Sequence, residues 1–249
     1  MDRRVIMTRN SSARVFGMLI VLPPSETKAP GGQLGPMRVS FPTLDPIRQT
    51  LMDQLASSDV ETMMNQLKIP ATKRAEAEEN LVLRKAPVMP AIQRYTGVLY
   101  DALDASTLPS SALSHLAVGS ALFGLLLSDD LVPRYRVSAG TKVDNKTMKA
   151  WWGKAVTEQL AEQDFVVDMR SGAYQQLGPL ASAMTVRVEQ ADTGKVVSHF
   201  NKQYKGELAR SLAMAPNTAD AASINDVADL ASAEGFQVRI DGQQLTLLV

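Results

Sequence analysis

Short apolar runs separated by helical patterns constrain the fold of this chain more than any other feature. Met18–Leu22 and Phe165–Met169 are almost wholly apolar, and Leu116–Val118 forms another such run. Runs of this kind are typical of strands that are buried on both faces of a sheet. A helical pattern from Ala150 to about Gln163 precedes Phe165–Met169, so the order of helix and strand indicates a parallel crossover.

Two predicted hairpins make the sheet mixed rather than purely parallel. The first joins Met184–Val188 to Lys195–Phe200 through a turn that contains Asp-Thr-Gly. The second has the two-residue turn Asp241-Gly242 between alternating flanks. The apolar stretch from Gly119 to Leu127 is expected to be buried, but its sequence favours neither a helix nor a strand. We therefore predict a mixed α/β fold in a single compact domain, with helices flanking a mixed sheet.

Capping residues and four-residue spacing predict the helices. Asp45 and Asp59 are the expected N-caps of the first two, and Thr72 is expected to open a third that reaches about Leu83. A fourth helix is predicted over residues 90–103, although Gly97 inside it costs about 1 kcal/mol relative to alanine. Two later helices are expected, one containing Leu208 and Leu212 and one capped by Ser223.

The segment from Lys68 to Arg74 has the outline of a helix-hairpin-helix. In that motif the turn amides and basic side chains hold a DNA backbone without reading its sequence. The hairpin glycines of the motif are absent between Leu67 and Arg74. The segment by itself is therefore a weak indication of DNA binding.

The N-terminal segment has some features of a signal peptide. Four arginines precede an apolar run that ends at Leu22, but the run is too short to span a bilayer. Pro23–Lys28 stands where a small-residue cleavage site would be expected. We expect residues 1–17 to be a disordered extension or an over-long start assignment, and residues 18–249 to form the domain. We also expect a cytoplasmic protein with no membrane partner.

Composition excludes several classes of chemistry. The chain has no cysteine, which rules out disulfides, thiolate metal sites and thiol-based peroxide sensing. With His115 and His199 as its two histidines, it is not expected to hold a metal, and no cofactor motif is complete. Lys+Arg and Asp+Glu are equal at 26 each, so a basic binding surface has to be local.

Polar residues beside glycines and predicted strand ends are the candidates for a site. They are Ser25, Lys28, Tyr95, Tyr135, Arg136, Ser171, Tyr174, Lys202, Lys205 and Arg210. These tyrosines could be half-buried packing residues and the lysines a solvated face. They could equally form a basic cleft for phosphate or nucleic acid. An exposed basic segment with Lys142, Lys146, Lys149 and Lys154 adds positive charge nearby in sequence, and His199 in a predicted strand is expected to be structural.

Several ordered blocks resemble the YaaA family of bacterial peroxide stress proteins, and together they extend from about Met18 to the C-terminus. The blocks are Leu22–Lys28, Arg94–Asp104, Ser120–Leu126 with Asp130, Pro133–Arg136, Trp152, Asp168–Tyr174 and Val197–Arg210.

This resemblance implies an α/β fold with a positively charged cleft and a helix-hairpin-helix. It also implies binding to duplex or distorted DNA, and a role in limiting peroxide damage and free intracellular iron. The chain departs from the family in having no glycine hairpin and no net positive charge. Any effect on iron is expected to be indirect, because the sequence offers no evident iron ligands.

Three functional hypotheses follow. In the first, a stress protein binds DNA non-specifically, with Lys28, Arg136, Lys202, Lys205 and Arg210 neutralising phosphates and Tyr95, Tyr135 and Tyr174 stacking on unpaired bases. In the second, an enzyme acts on a nucleobase, nucleoside or nucleotide, with Lys28 as nucleophile or base and with Ser171 and Tyr174 orienting the substrate. In the third, the chain is a protein-interaction module. The sequence leaves the oligomeric state open.

Overall fold

The computed structural model describes residues 7–8, 15, 17–197 and 200–249. Its strands are β1 (Met7–Thr8), β2 (Met18–Leu22), β3 (Arg38–Val39), β4 (Val88–Pro90), β5 (Leu116–Ser120), β6 (Gly124–Leu127), β7 (Leu131–Pro133), β8 (Lys142–Val143), β9 (Lys146–Thr147), β10 (Phe165–Asp168), β11 (Met184–Glu189), β12 (Gln237–Asp241) and β13 (Gln244–Leu248).

The α-helices are mostly short, and 3-10 turns accompany several of them. They are α1 (Asp45–Ser57), α2 (Val60–Leu67), α3 (Arg74–Glu79), α4 (Ala91–Arg94), α5 (Val98–Leu103), α6 (Ser110–Leu113), α7 (Met148–Trp152), α8 (Ala155–Ala161), α9 (Gly172–Gln175), α10 (Asn201–Met214) and α11 (Ile224–Ala233).

The largest sheet in the described part of the chain has the strand order β12-β13-β11-β10-β2-β5-β6. Strand β2 lies near its centre and pairs in parallel with both β10 and β5. Strands β10, β11 and β13 continue the parallel pairing, while β6 and β12 are antiparallel at the two edges. The sheet is therefore mixed, and its parallel centre agrees with the crossovers expected from the apolar runs.

A smaller sheet has the strand order β1-β3-β7-β4, and β8 and β9 form a separate hairpin. Strand β1 pairs in parallel with β3, and β7 pairs antiparallel with β3 and β4. Residues 136–138, 140 and 141, which follow β7, line the candidate site described below.

One hydrophobic core extends through the sheets and the helices that flank them. Every residue of β2 and β5 is buried, which explains why their sequences lack polar alternation. Two arginines are also fully buried in this core. Arg48 donates hydrogen bonds to the carbonyl oxygens of Ser40, Phe123 and Leu125, so its charge ties α1 to the β5–β6 turn.

The mixed α/β fold predicted from the sequence is confirmed, and so are several of its elements. Met18–Leu22 is a fully buried strand, and Asp59 and Ser223 cap α2 and α11 by accepting hydrogen bonds from backbone N–H groups. The stretch from Gly119 to Leu127, which the sequence left open, completes the β5–β6 hairpin. The C-terminal hairpin forms as well, but Asp241 pairs with Gln244, so its turn is one residue later than predicted.

Four predicted helices differ from the structure. Asp45 is not a cap: it lies inside α1, and its carboxylate pairs with Arg48 at 2.9 Å. The helix predicted from Thr72 to about Leu83 shortens to α3, because the buried Asn80 side chain turns inward to bond the backbone of Arg136. The helix predicted from Ala150 to Gln163 is broken at Gly153, which has a φ of 53°.

The helix predicted over residues 90–103 is divided into α4 and α5. Gly97 separates them with a φ of 98°, a conformation that side-chain-bearing residues rarely adopt. The glycine therefore turns the chain between two helices instead of weakening one helix.

The second strand of the hairpin predicted after β11 is not formed in the described residues. Val196 makes an isolated bridge to Glu189 and nothing longer. Strand β10 already occupies the start of that edge of β11, so little of the edge remains for the returning chain. His199 lies outside the described residues, as do residues 1–6, 9–14, 16 and 198.

No helix in the ranges that the structure describes is long and apolar enough to cross a membrane.

Candidate ligand-binding cleft

The strand order places a crevice beside the end of β2. The chain leaves β2 for β5 on one side and later returns to β10 on the other, so the loops after β2 and β10 run in opposite directions. In open α/β sheets, ligands bind outside the carboxyl ends of the strands at such a switch point. The segments that begin at Pro23 and Met169 therefore bound the expected position of a site.

A cleft of about 460 Å³ lies against the loop after β2, and we call it the Lys28 cleft. Its lining residues are Ser25, Glu26, Lys28, Leu67, Lys68, Pro70, Arg136, Val137, Ser138, Gly140, Thr141 and Tyr174. This volume is in the usual range for small-molecule sites and is too small for a DNA duplex. The cleft has room for a ligand of about the size of one nucleotide.

Lys28 is the most unusual residue of the cleft, because its side chain is buried although it carries an amine. Its Nζ atom donates hydrogen bonds to backbone carbonyl oxygens, at 3.0 Å to Ser25 and 3.4 Å to Glu26. The same atom lies 4.2 Å from the centroid of the Tyr135 ring and 5.4 Å from that of Tyr95. Carbonyl oxygens and ring faces therefore surround the amine.

Burial lowers the pKa of Lys28 from its usual value to about 7. The positive charge of Arg136 lowers it further, while Glu76 and Glu26 act in the opposite direction. A lysine with this pKa is partly neutral at physiological pH, and the neutral amine is a nucleophile and a base.

Buried hydroxyl groups of the tyrosines beside Lys28 and of Ser120 form a chain of hydrogen bonds. The Tyr135 hydroxyl lies 2.7 Å from the hydroxyls of Tyr95 and Ser120, and Ser120 Oγ accepts a hydrogen bond from the Phe123 N–H. Tyr95 and Tyr135 are each 2% exposed, and burial raises the pKa of both hydroxyls. Neither ring has a face open to solvent, so their expected role in stacking on unpaired bases does not fit this geometry. They support Lys28 from inside the protein.

The loop after β2 is fixed to its surroundings by buried polar groups. The guanidinium of Arg94 is fully buried and donates hydrogen bonds to the carbonyl oxygens of Ala29 at 2.6 Å and Gly31 at 3.1 Å. Ser25 Oγ accepts a hydrogen bond from the Thr96 N–H at 3.0 Å, and the Tyr100 hydroxyl donates to the Pro23 carbonyl oxygen at 2.8 Å. The loop therefore holds Lys28 in one position without regular secondary structure.

Arg136 lies at the mouth of the cleft and connects three segments. Its guanidinium pairs with Glu26 at 2.9 Å and with Glu76 of α3 at 3.0 Å. Asn80 fixes its backbone by donating to the Arg136 carbonyl oxygen and accepting from the Arg136 N–H. The position of this cation is therefore set by its neighbours before any ligand binds.

The remaining predicted residues fall into two groups. Tyr174 lines the cleft, and burial raises the pKa of its hydroxyl to about 12. Ser171 is exposed just before α9 and does not line the cleft. Lys202, Lys205 and Arg210 are on α10 and do not line it either.

The residues of α10 have other contacts. Lys205 Nζ donates to the Met169 carbonyl oxygen at 3.2 Å, and burial lowers the pKa of this amine to about 8 while Asp168 opposes the shift. Arg210 donates to the carbonyl oxygens of Leu103 and Asp104 at the end of α5, and Lys202 is exposed. The structure thus brings together Ser25, Lys28, Tyr95, Tyr135, Arg136 and Tyr174 of the predicted set.

Several residues of the cleft were not identified as site residues from the sequence. Glu26 and Ser120 were quoted within motifs, and Lys68 was assigned only to the possible helix-hairpin-helix. In the structure Lys68 has a left-handed φ of 54° that ends α2 and exposes its side chain at the cleft. Glu26 and Ser120 lie near the ends of β2 and β5, and this position could have indicated them as site residues.

The region between α2 and α3 provides little uncompensated positive charge. Lys73 pairs with Glu76 at 2.8 Å, and Arg74 pairs with Glu61 and Glu78. Among the described residues, no group of three or more His, Asp or Glu side chains could hold a metal ion.

Comparison with known proteins gives consistent matches over most of the chain. A family model described as peroxide stress protein YaaA matches residues 18–241. A UPF0246 protein of Corynebacterium efficiens is 49% identical over 92% of this chain and 98% of its own length. A UPF0246 protein of Streptomyces coelicolor is 38% identical over 78% of this chain and 82% of its own length.

Proposed function

The chain belongs to the YaaA family of peroxide stress proteins, the UPF0246 proteins, and we propose that it binds DNA non-specifically through the Lys28 cleft during peroxide stress in the cytoplasm. Bound in this way, it protects the DNA from oxidative damage. The supporting observation is the local charge. Lys28, Lys68 and Arg136 line the cleft with Glu26 as the acidic lining residue, although the whole chain has a net charge of zero. Phosphate is the ligand that such a positive concavity attracts.

The size of the cleft selects distorted DNA over an intact duplex. A volume of about 460 Å³ admits one nucleotide that has left the base stack, while the flanking strand lies outside. A mismatched or damaged position costs less energy to unstack, which favours binding there. In this proposal, any lowering of free intracellular iron is an indirect consequence of the stress response.

Fluorescence anisotropy with intact, bubbled and single-stranded DNA at several salt concentrations tests this proposal. We expect salt-sensitive binding that favours the bubbled duplex and that weakens in Lys68→Ala. Lys202→Ala is the matched control, because it removes an exposed lysine that does not line the cleft. Equal weakening by both substitutions, or no binding at micromolar protein, would contradict the proposal.

A second candidate function is an enzyme that acts on a nucleobase, nucleoside or nucleotide in the same cleft. The observation that favours it is the buried Lys28 amine, which a phosphate site does not require because an exposed, fully charged lysine binds phosphate as well. Lys28→Met is expected to abolish turnover and to spare much of the DNA affinity. Turnover that survives in this variant would exclude Lys28 as the reacting group.

A further inference from the structure

The Lys28 cleft places a buried amine beside Arg136 and Lys68, which can hold a negatively charged group, and this combination supports chemistry as well as binding. Lys28 makes its hydrogen bonds to the carbonyl oxygens of Ser25 and Glu26, which carry no net charge and can accept from either an ammonium or an amine. A carboxylate partner would have held the amine in its charged form. The described contacts therefore leave Lys28 able to lose a proton while it stays in place.

We propose that Lys28 forms a reversible imine with an aldehyde on damaged DNA, such as the open-chain sugar of an abasic site. This inference rests on the proposed binding of DNA at the cleft. Loss of an oxidised base exposes a sugar aldehyde. Because it has no base, such a nucleotide is small enough to enter a cleft of about 460 Å³. Lysine amines that are desolvated in this way attack carbonyl carbons.

The reaction balances without any other reagent. The neutral Nζ attacks C1′ of the aldehyde, and a new N–C bond forms as the carbonyl π bond breaks to give a carbinolamine. Both amine hydrogens and the former aldehyde oxygen then leave as water, which gives the imine. Nothing is oxidised or reduced, and addition of water reverses the reaction and releases the DNA.

Two neighbours in the cleft match the needs of this reaction. Arg136 is fixed by Glu26, Glu76 and Asn80 in a position from which it can hold a phosphate beside the abasic sugar. Tyr174 lines the same cleft, and its hydroxyl can relay a proton from the amine to the departing oxygen.

Borohydride trapping tests the proposal, because hydride from the reagent reduces an imine to a stable amine. The full chain is mixed with an oligonucleotide that contains one abasic site, treated with borohydride and analysed on a denaturing gel. We expect one covalent adduct, located on Lys28 by peptide mass spectrometry. We expect its loss in Lys28→Arg, which keeps a positive charge, and its retention in Lys205→Arg, which changes a partly buried amine whose pKa is also lowered.

An oligonucleotide with a tetrahydrofuran residue separates binding from reaction, because this abasic analogue has no aldehyde. If the protein binds the analogue but gives no adduct with the abasic site, the imine proposal is wrong and the DNA-binding proposal stands. If it binds neither, both fail. An adduct located on another lysine of the unaltered protein would overturn the role of Lys28 even where the variants do not fold.

Discussion

Lys28 illustrates how burial changes the chemistry of a single residue. Its ammonium group loses most of its hydration, and two carbonyl oxygens and two tyrosine rings replace the water. These contacts stabilise the positive charge less than water does, so the pKa falls to about 7. The charged groups that also act on it are Arg136 and Arg134, which lower the pKa, and Glu76 and Glu26, which raise it.

The pH dependence of the trapped adduct distinguishes Lys28 from surface lysines. With a pKa of about 7, the neutral fraction of Lys28 increases about tenfold from pH 6 to pH 8 and then levels off. A surface lysine with a pKa of about 10.4 increases about a hundredfold over the same interval and continues upward. The initial rate of borohydride trapping between pH 6 and pH 9 measures this difference. A rate that rises without a plateau would assign the adduct to surface amines.

Asp130 is a second buried ionisable residue, and its effect is on stability. Burial raises its pKa to about 6, although Ser40 and the Leu127 N–H donate hydrogen bonds to its carboxylate. The pKa in the fold is thus above the unfolded value. The contribution of Asp130 to stability is therefore fully present below about pH 4 and is lost as the pH rises through about 6.

Urea unfolding of the unaltered protein and of Asp130→Asn at several pH values checks this sign. The unfolding free energy of the unaltered protein, relative to the variant, is expected to fall by roughly 3 kcal/mol between about pH 4 and pH 7. Asn also lacks one of the two carboxylate acceptors, so the variant carries a pH-independent loss of about 1 to 3 kcal/mol. A difference that does not change with pH would show that Asp130 ionises normally.

At the scale of elements, the packing of α10 on α5 depends on one glycine. A Cβ atom on Gly206 would lie 2.3 Å from the Leu99 carbonyl oxygen and 2.8 Å from the Ala102 side chain. Gly206→Ala is therefore expected to push the helices apart and to lower the unfolding free energy by about 1 to 3 kcal/mol. Thermal denaturation followed by circular dichroism measures this.

Gly172→Ala is the matched control for this prediction. Nothing lies within 4 Å of the position that its Cβ would occupy, so the substitution should change stability by no more than about 1 kcal/mol. Equal effects of the two substitutions would show that helix contact is not the cause.

The elements also show what could be predicted from the sequence. The apolar runs predicted β2, β5 and β10 because a strand buried on both faces leaves a local pattern. The break at Gly97 could not be predicted, because a glycine in a helical pattern is compatible with either a helix or a turn. Whether the predicted hairpin strand after β11 could form depended on which strands already pair with the two edges of β11. That pairing is a property of the whole sheet.

The same distinction applies to the cleft. Lys28 and Tyr174 were identified because they follow strands, and the ends of neighbouring parallel strands meet in space. Lys205 and Arg210 instead contact carbonyl oxygens at Met169, Leu103 and Asp104, which a run of basic residues on a helix does not reveal. Contacts between distant segments decide whether a cation faces a cleft or holds a loop.

At the scale of the whole molecule, the equal numbers of acidic and basic residues determine how DNA binding should depend on salt. A neutral chain has no long-range attraction for a polyanion, so its affinity must come from local cations. The cations that line the cleft are Lys28, Lys68 and Arg136. Ion pairs with Glu26 and Glu76 offset part of the charge of Arg136. Binding should therefore depend on salt less steeply than in proteins with long basic surfaces.

The slope of log affinity against log salt concentration makes this quantitative. Each phosphate neutralised on a single strand contributes about −0.7, so three cations give a slope of about −2 at pH 6.5. Raising the pH to 8 deprotonates most of Lys28, and the slope should weaken toward about −1.4. Lys68→Ala should remove about 0.7 at either pH, whereas Lys202→Ala should leave the slope unchanged. A slope steeper than about −4 would place the DNA on a surface beyond the Lys28 cleft, because the cleft does not contain enough cations to produce it.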